Sequence, residues 1–279
     1  MPHLKISSKR AVAAVAASVL LAGVPASAAS AKTKAETITI SGATGSAPLV
    51  ALLAKKYYSL HPKDVKFKLS QGGGEVGVQD AAAGRVTIGN GGRDPRPSDP
   101  AGLVWTPIAR DYFTFITNPA NKLPNLTQAV ATQIWTRQIT DWSQVPGSTI
   151  TGPINLIGRT SASSQPALVQ SIFLGGKAPS STVSQKASDS LVRQAVASDK
   201  QAIGYASGWY TQQGDVNPVA FNGVAPSPAT AKSGQFAGVR TYYEITLGKP
   251  TGQAAKFISW IVKAPAARKI IASYWVPLT

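Results

Sequence analysis

The chain has 279 residues, enough for one large domain or two modest ones. Its composition is 43% hydrophobic and its charge is lopsided, with 28 Lys and Arg against 12 Asp and Glu, net +16. It contains no cysteine, which excludes disulfides, a thiolate nucleophile and any cysteine-ligated metal. The basic residues do not gather like those of a nucleic-acid reader; the densest group, Lys55, Lys56, Lys63, Lys66 and Lys68, reads as a solvated face. Outside a cell such charge favours anionic wall polymers, lipid headgroups and small anions.

The amino terminus carries the marks of an export signal. Lys5, Lys9 and Arg10 form a basic region, AVAAVAASVLLAGV is apolar but short for a membrane span, and Ala26-Ser27-Ala28 offers small residues for cleavage. Residues 1–29 are therefore expected to be a cleaved signal peptide. No cysteine follows to take a lipid anchor. The expected product is a secreted, periplasmic or extracellular protein.

The predicted elements alternate from there. Thr37–Ser41 reads as a short buried strand, and the turn GATGSAP leads into a helix over Pro48–Leu60, with Leu49, Leu52, Leu53, Tyr57 and Leu60 at helical spacing. VKFKL (65–69) alternates, with Val65, Phe67 and Leu69 inward. A glycine loop then runs into a short helix that Gly84 stops, before a strand at Val86–Gly89. Further strands are expected at Asp111–Thr117, Ile154–Gly158, Ala202–Ala206 and Val239–Leu247. Helices are expected near Leu126–Trp135, 164–174, 188–198 and Gln253–Tyr274, and residues 222–238 read as a loop. This alternation implies an α/β fold with a mostly parallel sheet covered by helices.

In open α/β sheets, ligands sit beyond the carboxyl ends of the strands. Three loops here hold that position and share one chemistry: SGATGSAP (41–48), SQGGGE (70–75) and GRTSASSQ (158–165). Their glycines let the backbone approach a ligand and their hydroxyls donate hydrogen bonds. The helix starts that follow present unpaired N–H groups and partial positive charge, and Arg159 adds a fixed guanidinium fork suited to oxyanions. Each feature also has a plainer account: Ser163 or Ser164 as a helix cap, the glycines at 72–74 as a tight turn, Arg159 in a surface ion pair.

ITISGATGSAPLV resembles the amino-terminal motif of the phosphate-binding proteins that serve phosphate ABC transporters. The likeness continues in order through SQGGGEVGVQDAAAGRVTIGNGGRDP, IWTRQITDWSQVPG, IGRTSASSQPAL, QAIGYAS and FISWIVKAPAARKIIASYWVPL. It covers most of residues 37–279, and the order of the motifs is more telling than any one of them. The resemblance implies a two-lobed, periplasmic-binding-protein-like (type II) α/β fold with mixed, mostly parallel sheets. Lobe I would comprise 36–112 and 240–279, and lobe II 113–239, with chain crossings at Asp111–Thr117 and Val239–Leu247.

It also implies a ligand-binding set. Thr44 would donate its hydroxyl and Gly45 its N–H, beside Ser46; Arg159 would give the charged contact; Ser163 and Ser164 would donate from the helix start, with Gln165 where a Thr is usual. Gly72, next to Gly73, stands where the family commonly has a Ser, so only an N–H remains. The family's acceptor carboxylate falls at Gly91 or Gly92, and Asp94 is the nearest substitute. Such an acceptor welcomes a protonated oxyanion and repels a fully ionised one; it could equally cap a turn before Pro95.

The leading expectation is thus a non-enzymatic, monomeric, secreted protein that captures phosphate or a similar oxyanion for an ABC permease, without cofactor, metal or nucleic acid. Two alternatives remain. One is a protein of the same fold that binds an anionic wall polymer or acts in adhesion. The other is a serine hydrolase, although G-x-S-x-G is absent and His61 is the only histidine after the signal.

Overall fold

The computed structural model describes residues 34–278, so the expected signal peptide at 1–29 lies outside the described residues. In chain order the elements are β1 (Glu36–Gly42), α1 (Ala47–Leu60), β2 (Val65–Leu69), α2 (Gly74–Ala82), β3 (Ile88–Gly91) and β4 (Leu103–Thr117). Then come β5 (Asn125–Leu126), α3 (Gln128–Trp135), β6 (Asn155–Arg159), α4 (Gln165–Leu168), β7 (Ser184–Lys186), α5 (Asp189–Ser198), β8 (Ala202–Ser207) and α6 (Gly208–Thr211). The last are β9 (Asn217–Pro218), β10 (Ala220–Phe221), α7 (Pro228–Ser233), β11 (Val239–Leu247), α8 (Gly252–Lys263) and α9 (Pro265–Tyr274).

Most of these elements follow the hydrophobic periodicity. α1 starts at a proline in its first turn and buries Leu49, Val50, Leu53, Ala54 and Tyr57 on one stripe. α3 and α5 begin at Thr127 and Ser188, whose side chains accept from Val130 N and Leu191 N. α8 ends where Pro265 opens α9.

Four expectations shift. Leu69 ends β2 exposed rather than inward, because β2 is the sheet edge. β3 lies two residues later than Val86–Gly89. β4 begins at Leu103 and runs 15 residues, since its first half pairs with β11 and its second with β8. The stretch 222–238 is not all loop: Ser227 and Thr230 cap each other reciprocally and start α7.

The strands form one sheet in the order β2-β1-β3-β11-β4-β8-β6-β7, with β9 beside β4; β5 and β10 pair separately. The pairs β1/β2, β1/β3, β6/β7 and β6/β8 are parallel, as helix-bearing crossovers require, while β11 is antiparallel to β3 and β4. β4 and β11 therefore run side by side through the middle. One apolar core gathers Ile38, Leu49, Leu53, Tyr57, Ala109, Tyr242, Phe257 and Trp275. Another gathers Phe113, Phe115, Trp135, Trp142, Phe173, Tyr205 and Phe236. The chain thus adopts a two-lobed α/β fold whose two largest cores meet along these central strands.

Phe173 is the hub of the second core, with ring centroids 4.7 Å from Phe221, 5.0 Å from Phe115 and 5.2 Å from Phe113. Replacing it by alanine is expected to lower the unfolding free energy by about 3–5 kcal/mol, through lost burial and an unfilled cavity. Urea denaturation of Phe173→Ala beside the wild-type chain measures this.

Candidate functional site

Three strands aim their carboxyl ends at one place. β1 ends at Gly42, two residues before Thr44; β6 ends at Arg159; β8 ends at Ser207. The start of α5 brings Asp189 between them. All four side chains are buried.

Arg159 is held on every side. Its Nη1 forms an ion pair with Asp189 Oδ2 and donates to Gln165 Oε1 at 3.0 Å. Its Nη2 donates to Ala187 O at 3.0 Å and its Nε to Lys186 O at 3.2 Å, while its backbone N–H donates to Tyr205 Oη at 2.9 Å. Burial pushes the Tyr205 phenol up to about 12, so it stays a neutral partner.

The Asp189 carboxylate is the centre of the cluster. Besides Arg159 it accepts from Thr44 Oγ1 at 2.7 Å, Gln165 Nε2 at 3.0 Å, Ser207 N at 3.1 Å and Ser207 Oγ at 2.5 Å. Burial alone would raise its pKa. The Arg159 and Arg240 guanidiniums and the Ser207 and Thr44 hydrogen bonds outweigh burial and hold it below the usual carboxylate range. Its position in the first turn of α5 also suits negative charge.

A second arginine lies behind Ser207. Arg240 Nη2 donates to Ser207 Oγ at 2.5 Å and to Tyr242 Oη at 2.8 Å, and stands 3.6 Å from Asp111 Oδ2. Tyr242 donates to that same carboxylate oxygen at 2.5 Å. Among the described residues, Arg240 Nε and Asp111 Oδ1 have no hydrogen-bond partner. Burial pushes Asp111 up to about 7, against the pull of Arg240 and Tyr242. A Cβ at Gly45 would lie 2.3 Å from Arg240 Nη2 and 2.4 Å from Ser207 Oγ, so only glycine lets this arginine come so close.

The structure brings Thr44, Gly45, Arg159 and Gln165 together. Ser46 is buried but donates to Ala43 O at 3.1 Å, within its own turn. Ser163 Oγ accepts from Gln165 N at 3.2 Å, and Ser164 Oγ donates to Gly92 O at 3.3 Å. Gly72 and Gly73 donate their N–H groups to Gly42 O at 3.2 and 3.0 Å, so the second loop ties back to β1. Gly73, at φ +104°, also lies against the Arg159 loop: a Cβ there would sit 2.2 Å from Ala162 O.

Asp94 is the exception. It is exposed, and its carboxylate accepts from Tyr243 Oη at 2.7 Å, outside the cluster. The neighbouring Arg93 explains this. It is buried and bonded to both Glu75 oxygens and both Asp99 oxygens, which pins the loop with Asp94 facing out.

Sequence reasoning missed Asp189, Ser207, Arg240, Tyr242 and Asp111. Ser188-Asp189 passed as an ordinary helix start. The other signal was available: Arg240, Tyr242 and Glu244 alternate on one face of β11, and Asp111 shares its face of β4 with Phe113 and Phe115. Charged residues at inward positions of central strands mark a polar site. Among the described residues no cluster of His, Cys, Asp and Glu could hold a metal ion, and no helix is long and apolar enough to cross a membrane.

The PBP superfamily domain model matches residues 26–265. The chain belongs to the PBP superfamily. It is 24% identical to the phosphate-binding protein PstS of Bacillus subtilis over 246 residues, covering 87% of this chain and 81% of that one. A candidate phosphate ABC transporter substrate-binding protein from Clostridium perfringens, solved with bound phosphate, superposes with a TM-score of 0.81 at 25% identity, covering 88% of this chain and all of the other. An ABC-type phosphate transport receptor from Vibrio cholerae superposes with a TM-score of 0.68 at 24% identity, over 86% and 99% of the two chains.

Glu244, on the same face of β11, is fully buried beside Asn90, whose amide nitrogen, turned toward it, lies 2.7 Å from Oε2. Burial raises its carboxyl well above 4.5, and Asp111 shifts in the same direction. Between their unfolded and folded pKa values the native state binds more protons than the unfolded chain. These two groups therefore make stability fall as pH rises above the ordinary carboxylate range. Glu244→Gln should lose less stability than wild type between pH 5 and 7, measured by denaturant melts at both pH values; equal losses would mean that Glu244 is ionised in the fold.

Proposed function

We propose that this chain is a secreted solute-binding protein that captures a small oxyanion, phosphate first, between its two lobes and delivers it to an ABC permease. One observation carries the reading. Thr44, Arg159, Gln165 and Ser207, from three separate segments, all donate to a single buried carboxylate. A carboxylate is itself a small oxyanion, so these donors already stand in the geometry that binds one.

The chemistry of capture follows from the donors. A dehydrated anion must recover its lost hydration from fixed groups. Arg159 supplies charge and a planar fork, Thr44 and Ser207 supply hydroxyls, and Ser207 adds a backbone N–H. Arg240 lends a second positive charge through Ser207. Nothing in this set is arranged to break a bond, so the reading is capture and release rather than catalysis. The phosphate-binding names of the similar proteins support the choice of ligand.

In this reading lobe I comprises 36–112 and 240–279 and lobe II 113–239. The two largest cores divide near Tyr112 and Val239, close to those limits, with Val276 of the carboxy-terminal segment packing into the second core. Closure would bring Thr44 from one lobe against Arg159 and Asp189 from the other. Export and release by signal cleavage belong to the same proposal.

Titration calorimetry of the chain with phosphate, sulfate and arsenate tests it. Phosphate should give saturable heat. Thr44→Val, which loses only the hydroxyl donor, and Arg159→Lys, which keeps charge but loses the fork, should each weaken phosphate binding about tenfold or more. Absence of heat with all three anions would sink the reading.

A further inference from the structure

Asp189 does more than sit beside Arg159. A carboxylate offers about four acceptor positions. Five donor groups converge on this one: Thr44 Oγ1, Arg159 Nη1, Gln165 Nε2, Ser207 N and Ser207 Oγ. It is saturated, and it takes up the donors that an oxyanion would need. A ligand can reach Thr44 and Arg159 only if the carboxylate leaves them. The expected acceptor, Asp94, faces solvent and takes no part.

We propose that Asp189 is a resident counter-anion: the ligand binds by exchanging with its carboxylate, and the charge at position 189 sets the affinity of the site. This rests on the oxyanion-binding reading above. The exchange is physically reasonable because both guanidiniums stay in place. Arg240 keeps Asp111 at 3.6 Å, and Arg159 keeps the Lys186 and Ala187 carbonyls, so neither cation depends on Asp189 for its position. The leaving side chain is anchored at the first turn of α5, whose N-terminal dipole still favours its charge once it has swung aside. It cannot go far, and a displaced carboxylate beside the cleft repels a bound anion. Exchange therefore weakens binding twice, by competition for the donors and by like charge.

Asp189 could instead be a positioning residue that orients Arg159. The two roles predict opposite signs. Asp189→Asn keeps the shape but removes the charge and turns an N–H₂ toward donors, which makes it easy to displace. Asp189→Ala removes the side chain. Under exchange, both variants bind phosphate about tenfold or more tightly than the wild-type chain in titration calorimetry. Under positioning, both bind it more weakly. Equal or weaker binding by the variants, with Arg159→Lys still losing affinity, would overturn the exchange and leave the oxyanion reading standing. No phosphate binding by wild type or either variant would remove both. If both variants fail to fold by circular dichroism, infrared difference spectra of the wild-type chain with and without phosphate decide. A shifted carboxylate stretch supports exchange, and an unchanged one overturns it.

Discussion

The ion pair between Arg159 and Asp189 is the constraint around which the site is built. Each partner is almost wholly withdrawn from water, and an isolated charge at that depth would cost several kcal/mol. Their mutual attraction repays this only because both are also hydrogen-bonded: the guanidinium by two carbonyls and Gln165, the carboxylate by two hydroxyls, an amide and a backbone N–H. The loops that deliver those partners come from far-apart parts of the sequence. Thr44 and Asp189 are 145 residues apart, so this one bond joins the turn after β1 to the start of α5. The sheet order makes the meeting possible. β4 and β11 run together through the middle, and β1 and β6 reach the same region from either side of them.

That arrangement also shows which parts of the molecule could be read from the chain and which could not. Helix and strand periods report local burial, so α1, β2, α5, β8 and β11 stand nearly where the pattern puts them. β3 slid by two residues because its place is set by pairing with β1 and β11, a long-range matter. α7 was hidden in a stretch rich in Gly, Pro, Ser and Ala, because its start depends on the reciprocal Ser227–Thr230 cap rather than on an apolar stripe. In the site, the loop residues were legible through composition: glycine and hydroxyl residues beyond strand ends, with Arg159 among them. Asp189 was not, because it lies at an ordinary-looking helix start; Arg240 and Asp111 show only as charged residues at inward positions of β11 and β4, and what they face depends on the pairing of those strands. The resemblance put the acceptor position at Gly91 or Gly92 with Asp94 as the nearest substitute; Arg93, bonded to Glu75 and Asp99, holds the loop so that Asp94 faces out.

Arg240 deepens the polar layer behind the donors. Ser207 links it to Asp189, since one hydroxyl accepts from Arg240 and donates to the carboxylate. Tyr242 and Asp111 complete the layer on the other side. Two guanidiniums and two carboxylates are thus packed together in a buried layer, and the balance is close to neutral. Such a layer is stable while all four charges are present and becomes unfavourable if one is removed. Asp111, pushed toward neutrality by burial, is the member whose charge changes most readily near pH 7.

Two acceptors bear on the question of selectivity. One is the Gly92 carbonyl, where the resemblance calls for a carboxylate; it already accepts from Ser164. The other is Asp189, which lies among the donors themselves rather than across from them. A carboxylate facing the donors from the far side of a cleft can accept a proton from the ligand while the ligand keeps every donor. A carboxylate in the same seat as the ligand cannot: it is either bound to the donors or displaced by the anion that takes them. The distinction is geometric, and it follows from the loop that turns Asp94 outward and the helix start that turns Asp189 in. On the proposed exchange, the affinity of this site for an anion reflects the difference between two oxyanions competing for one set of hydrogen bonds.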